Sequence, residues 1–232
     1  ATGARTVLVA AAALKPGPEA APLRIHDYAW SADGEKLLIF TNTRRVWRQQ
    51  TRGDYWIWEK KTGALRKLGG AVAEASLMFA KFSPDGERVA YVHDHNLYVE
   101  ELRTGAVTAL TKDGSATIIN GTSDWVYEEE LAVRDGFRWS PDGRRIAYWQ
   151  FDTSGVQEFT LINDTDSLYP RLTRIPYPKA GTTNSAVRVG VVAVGGGATT
   201  WLAAPGDARQ QYLARIEWSP DSKLVALQQL NR

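Results

Sequence analysis

The sequence predicts an all-β fold: β-propeller blades of four-stranded antiparallel sheets, in an incomplete ring. Three observations carry this. First, four segments repeat: Trp30-Ser-Ala-Asp-Gly-Glu-Lys-Leu-Leu38, Phe82-Ser-Pro-Asp-Gly-Glu-Arg-Val-Ala90, Trp139-Ser-Pro-Asp-Gly-Arg-Arg-Ile-Ala147 and Trp218-Ser-Pro-Asp-Ser-Lys-Leu-Val-Ala226. Second, short β-rich runs with turn signals follow each copy. Third, no long window shows a helical period.

In each repeat an aromatic residue ends a strand, and the Ser-Pro-Asp-Gly tetrad makes a tight turn. Pro presets φ, Asp bonds its own backbone and Gly takes the positive φ. A second strand follows, as in Arg88-Val-Ala-Tyr-Val92. A third strand, Asn96-Leu-Tyr-Val-Glu100, a Thr104-Gly105 turn and a fourth strand, Ala106-Val-Thr-Ala-Leu110, complete the unit. The repeated Ser residues stand at 31, 83, 140 and 219, so they are 52, 57 and 79 residues apart. Blades are therefore expected around 23–68, 77–111, 137–178 and 186–232, after an N-terminal extension over 1–22. The chain ends within a blade just after Leu224-Val-Ala-Leu-Gln-Gln-Leu230, which would leave a sheet edge unpaired. A longer parent protein is the expectation.

Composition narrows the chemistry. With 232 residues, 44% of them hydrophobic, the chain can bury a sizeable core and is not a disordered segment. The absence of Cys excludes disulfide scaffolds, thiolate zinc sites and thiol catalysis. A net charge of +2 gives no basis for a nucleic-acid partner. No cofactor and no metal is expected. No apolar run is long enough for a membrane-spanning helix. The Ala-rich start, Ala1–Leu14, lacks the layout of a signal peptide.

One stretch does not fit the blade pattern: the insertion at 120–131, Asn120-Gly-Thr-Ser-Asp-Trp-Val-Tyr-Glu-Glu-Glu-Leu131. On a strand Glu129 and Glu130 would point to opposite faces. On a short helix they stand about 100° apart and can converge on one cation, with Glu128 facing elsewhere. Asp124 is placed to cap such a helix. Two close carboxylates repel unless a cation joins them, and a primary ammonium supplies one charge and three donors. A solvated helix end is the alternative reading of three adjacent Glu.

Asp124-Trp-Val-Tyr-Glu-Glu-Glu130 resembles the double-glutamate motif of the dipeptidyl peptidase IV group, in the prolyl oligopeptidase family of serine peptidases. Asn120-Gly121 before it, Leu168-Tyr-Pro170, Ile175-Pro-Tyr-Pro-Lys-Ala-Gly181 and Asn184 extend the similarity. The resemblance implies that an eight-bladed propeller, of which this chain is about half, caps an α/β-hydrolase domain of the same protein. It implies that Glu129 and Glu130 bind the free α-amine of a peptide substrate, so that dipeptides of Xaa-Pro or Xaa-Ala type are released. It also implies a homodimer and an extracytoplasmic parent, whether periplasmic, secreted or membrane-anchored. A Gly-x-Ser-x-Gly nucleophile elbow is absent, and His26, His93 and His95 are the sole His residues. No catalytic residue or catalytic domain is therefore expected in this chain, which alone should not cleave peptides.

Other candidates are weaker. His93-Asp-His95 has a spacing that could hold metal but no third ligand, and a loop between blade strands is the plainer reading. Asp164-Thr-Asp166 lacks the Gly and Glu of a calcium loop. Arg44, Arg45, Arg48 and Arg52 around Trp47 read as an exposed hairpin tip. The Gly-rich run Val189-Gly-Val-Val-Ala-Val-Gly-Gly-Gly197 reads as a hairpin rather than a phosphate loop. A non-catalytic propeller scaffold or protein-interaction module remains the competing class, and continuation of the reading frame into a nucleophile elbow would separate the two. A transport-associated periplasmic propeller is a third option, which should lack the Glu motif.

Overall fold

The computed structural model describes residues 3–232. The first two residues of the expected N-terminal extension lie outside the described residues. The chain divides into two compact units, one running up to His93 with Val99–Val107 added, the other Asp94–Tyr98 with Thr108–Arg232.

Among the described residues the architecture is all-β with one short α-helix. β1 (Asp27–Trp30), β2 (Lys36–Val46), β3 (Gln49–Glu59), β4 (Leu65–Lys67), β5 (Leu77–Phe82), β6 (Arg88–His93), β7 (Asn96–Glu101) and β8 (Val107–Ala109) form one sheet. Its order is β1-β2-β3-β5-β6-β7-β8, with β4 also on β3. The two expected blades join because the β2–β3 hairpin outruns its own blade. Near its tip β3 takes up β5 through Arg52↔Met78 and Gly53↔Leu77. The first blade's core is Leu37, Ile39 and Trp58, and Leu14 joins it at 4% exposure. Leu14 belongs to a 3-10 turn, Ala11–Leu14, so the expected extension contributes Leu14 to the core, with Val9 and Ala13 packed against it, while Val7 and Leu8 stay exposed.

In the other unit the pairing departs from the expected boundaries. β9 (Ile118–Asn120), β10 (Phe137–Trp139), β11 (Arg145–Asp152), β14 (Ala186–Ala193) and β15 (Thr200–Trp201) share a sheet. Between β11 and β14 the chain makes a separate two-stranded ribbon, β12 (Glu158–Asn163) with β13 (Arg171–Pro176). β16 (Gln211–Trp218) pairs with β17 (Val225–Asn231). The blade expected at 137–178 thus takes its third strand from 186–193, which the repeat spacing places in the next blade. The reason is burial. β14 is buried at Val187, Val189 and Val192 and pairs with the apolar β11, whereas every residue of β12 is exposed. The excursion also accounts for the longest repeat spacing. Gly190 permits close packing here, because a Cβ would come within 2.4 Å of Thr199 and 2.9 Å of Trp201. Among the described residues none of the sheets closes on itself.

All four repeat turns have the same internal bonding. Ser31, Ser83, Ser140 and Ser219 each donate their hydroxyl to the Asp two residues on, at 2.5–2.6 Å. Each Ser Oγ accepts the amide five residues on, and each Asp accepts the amide two residues on. The Asp carboxyls at 33, 85, 142 and 221 consequently lie below the ordinary range. Within each unit consecutive turns dock: Lys36 Nζ lies 3.0 Å from Glu87, and Ser222 accepts the Asp142 amide at 2.9 Å on its hydroxyl. This explains the fourth copy's Ser in place of Gly. Ser222 keeps the positive φ, at 61°, and adds a bond that Gly could not make.

Burial pushes the Asp85 carboxyl up, but the Ser83 hydroxyl, the Glu87 amide and Arg88 outweigh it, so its net direction is down. A depressed carboxylate contributes stability above its unfolded pKa and loses it as pH falls through the folded value. Ser83→Ala is expected to cost about 1–2 kcal/mol in denaturant unfolding at neutral pH. The cost should shrink in acid, where Asp85 is protonated, and equal costs at both pH values would count against this assignment.

Candidate functional site

The Glu triplet lies on an α-helix, α1 (Trp125–Leu131), as the pattern of the insertion predicts. Asp124 is its N-cap, and Asp124 Oδ1 accepts the Tyr127 amide at 2.9 Å. The other carboxylate oxygen, Oδ2, accepts the Ser185 hydroxyl at 2.6 Å. Asp124 is 8% exposed, and burial raises its carboxyl although both bonds pull the other way. At the far end Ala132 takes a left-handed φ of 55°, and the Val133 amide donates to Tyr127 O at 2.9 Å. That closure satisfies a carbonyl the helix leaves open.

Side chains from elsewhere in the unit grip the helix. The Tyr127 ring is 1% exposed, lies 4.7 Å from Phe151 edge-on, and its hydroxyl accepts the Leu213 amide at 2.7 Å. Arg215 Nη1 donates to Leu131 O at 2.9 Å. Trp125 packs on Tyr177, with ring centroids 4.2 Å apart.

The three carboxylates then separate by environment. Glu128 turns to Arg134, with Oε1 3.3 Å from Nε, and is mostly buried. Burial pushes its carboxyl up, Arg134 pulls it back and the Glu129 charge adds to the rise. Glu129 is half-buried and Glu130 is exposed. So the helix diverts the first Glu into an ion pair and carries the other two on successive positions. Such a pair can accept several hydrogen bonds from one small cation.

Beneath the motif lies a polar chain. Asn120 is fully buried; its Nδ2 donates to Asp113 at 2.9 Å and to His95 O at 3.1 Å. Gln150 Nε2 donates to Asn120 Oδ1 and to Asp113 Oδ2, both at 2.8 Å, and Gln150 Oε1 accepts Arg188 Nε at 2.8 Å. The Arg188 guanidinium stacks 3.5 Å from the Trp201 ring. After the helix the chain returns through Gly136, where a Cβ would sit 2.3 Å from Thr122 O, so only Gly fits.

The weaker candidates fall on turns. His93 ends β6, while Asp94 and His95, at φ 44° and 58°, make the turn into β7. The two imidazoles therefore do not share a strand face. Asp166 and Asn163 bond one another at the ribbon tip. Trp47, at φ 54°, turns the Arg-bearing β2–β3 hairpin. Among the described residues no group of three His, Cys, Asp or Glu could hold a metal. Sequence reasoning did not find Ser185, Tyr177, Leu213 or Arg215 as partners of the motif. The sole signal was that 175–181 and Asn184 belonged to the same resemblance.

Sheets built on a repeated hairpin turn, with one carboxylate-bearing helix set among them, define a propeller-like all-β domain. The model of the family described as "Dipeptidyl peptidase IV (DPP IV) N-terminal region" matches residues 31–232, and the chain belongs to that family. It is 36% identical over 167 residues to dipeptidyl aminopeptidase B of Saccharomyces cerevisiae, covering 70% of this chain and 20% of that protein. It is 34% identical over 168 residues to prolyl endopeptidase FAP of Mus musculus, covering 72% and 22%. The structure resembles that of Porphyromonas gingivalis dipeptidyl peptidase 4, with a TM-score of 0.85 at 30% identity, over 94% of this chain and 30% of that one. The chain thus spans about a fifth of the length of the curated relatives it matches.

Asp124→Ala removes both the cap and the Ser185 partner, and is expected to cost about 1–2 kcal/mol and to speed amide exchange over 125–131. Asp124→Asn keeps an oxygen for the Tyr127 amide and removes a buried charge, so it should cost much less. Equal losses in the two variants, read by thermal unfolding and amide exchange, would argue against the capping role.

Proposed function

We propose that this chain is the substrate-gating portion of a serine exopeptidase that releases N-terminal dipeptides of Xaa-Pro or Xaa-Ala type. In this reading Glu129 and Glu130 hold the substrate's α-amine. One observation carries it: α1 sets Glu129 and Glu130 on successive helical positions while Glu128 is drawn to Arg134. Family membership supports the peptidase context.

The chemistry is positional. An α-ammonium offers three N–H donors and one positive charge, and two carboxylates supply matching acceptors without a metal. Anchoring the amine fixes how far the substrate extends from the helix. A serine nucleophile on an α/β-hydrolase domain of the same protein then meets the second peptide bond. Holding reactants in register converts binding energy into rate. Glu128, tied to Arg134, keeps a third negative charge from competing for the cation. The parent is proposed to work outside the cytoplasm and to form a homodimer; the exposed β12–β13 ribbon, with Ile162 and Leu172 at 67% and 62% exposure, supports a protein contact.

In the full-length parent, Glu129→Ala or Glu130→Ala should lower kcat/KM for a Xaa-Pro substrate by about two orders of magnitude, near 3 kcal/mol for a lost charge-assisted contact. Unchanged cleavage by the double variant would sink the amine-anchor reading.

A further inference from the structure

The exposed ribbon and the Glu helix are joined by one short stretch of chain. β13 ends at Pro176, and the next residue, Tyr177, closes the ribbon base by donating its amide to Gln157 O at 2.9 Å. The same residue lays its ring against Trp125, the first residue of α1, at 4.2 Å. On its other side the Tyr177 ring meets Phe159 of β12, at 5.6 Å. Eight positions later Ser185 donates its hydroxyl to Asp124, the residue that caps α1. The segment 177–185 therefore grips the start of the helix twice, once through an aromatic face and once through the buried cap.

The register on the helix makes the first grip specific. Residues four apart lie on the same helix face. Trp125 is thus the neighbour of Glu129, and the Tyr177 ring bears on the face that carries one of the paired carboxylates. Tyr177 is only half-buried, so its contact adds little core. The opposite end of α1 is held by Arg215 of β16 on Leu131 O, while the Leu213 amide of the same strand anchors the Tyr127 hydroxyl. With one end fixed by β16, the position of the other end sets the rotation of the helix and the direction of Glu129 and Glu130.

We propose that Tyr177 and Ser185 are positioning residues for the Glu129–Glu130 pair, clamping the start of α1 so that both carboxylates meet one ammonium. The proposal rests on the amine-anchor reading and adds which residues outside the motif tune it. A contact that only orients a binding group changes ground-state affinity more than turnover.

The test is steady-state kinetics of the full-length parent on a Xaa-Pro substrate with a free amine. Tyr177→Ala should raise KM about tenfold while kcat stays within about twofold, and Tyr177→Phe, which keeps the ring, should restore wild-type KM. Ser185→Ala, a one-atom deletion, should shift KM in the same direction and serves if Tyr177→Ala does not fold. Wild-type KM in both variants, or a fall in kcat matched by loss of folded protein, overturns the clamp. Should Glu129→Ala with Glu130→Ala leave cleavage unchanged, the anchor reading itself fails. If that double variant is impaired while Tyr177→Ala and Ser185→Ala behave as wild type, the clamp alone fails.

Discussion

A helix of seven residues cannot sustain itself in water, because nucleation costs more than so few hydrogen bonds return. Everything the Glu triplet can do depends on what holds α1 from outside. The cap residue Asp124 is the centre of that support, with one carboxylate oxygen on the Tyr127 amide and the other on Ser185. Burying a carboxylate is unfavourable without partners. Here the rise in its pKa marks the cost of burial, and the two bonds offset part of it. Tyr127 adds the apolar side of the same support, its ring among Phe151, Trp149 and Leu213.

The polar chain beneath the motif does a related job for the backbone. Asn120 makes bonds in three directions from a fully buried position, and β9 is only three residues long. A short strand of this kind is poorly held by ladder bonds alone. Side-chain bonds from Asp113 and Gln150, with Arg188 closing the chain against Trp201, fix where the segment leaves the sheet. Networks of this sort stabilise only when every member is satisfied. The route into α1 is therefore set by hydrogen bonds, and the way out at Gly136 is set by steric fit.

The sheets obey simpler rules. A Ser hydroxyl that bridges Asp and the following strand locks each hairpin, and neighbouring turns within each unit then dock on one another. The β12–β13 ribbon is the exception, with almost no buried residue of its own beyond Ile175. Two-stranded ribbons are marginal in water. This one is tied down at its base by Tyr177 and Val156, where its apolar surface meets the rest of the unit.

The repeat turns, the helical placement of the Glu triplet and the Asp124 cap were all legible in the sequence, because each is a local arrangement within about five residues. Ser83 and Asp85 are two residues apart, and Asp124 reaches an amide three residues on. The strand partner of 186–193 was not legible, since apolar alternation fits more than one neighbour until burial selects among them. Nor were the partners of the helix: Ser185 lies 61 residues from Asp124 and Leu213 lies 86 from Tyr127. The diversion of Glu128 to Arg134 falls between these cases, since a reading of helix faces separates Glu128 from its neighbours without naming the Arg. By itself, then, the sequence determined the all-β class, the turns and a capped helix bearing Glu129 and Glu130. Only the tertiary structure decided which strands share a sheet and which distant side chains hold the helix that carries the two carboxylates, because those contacts exist only once long-range packing brings the segments together.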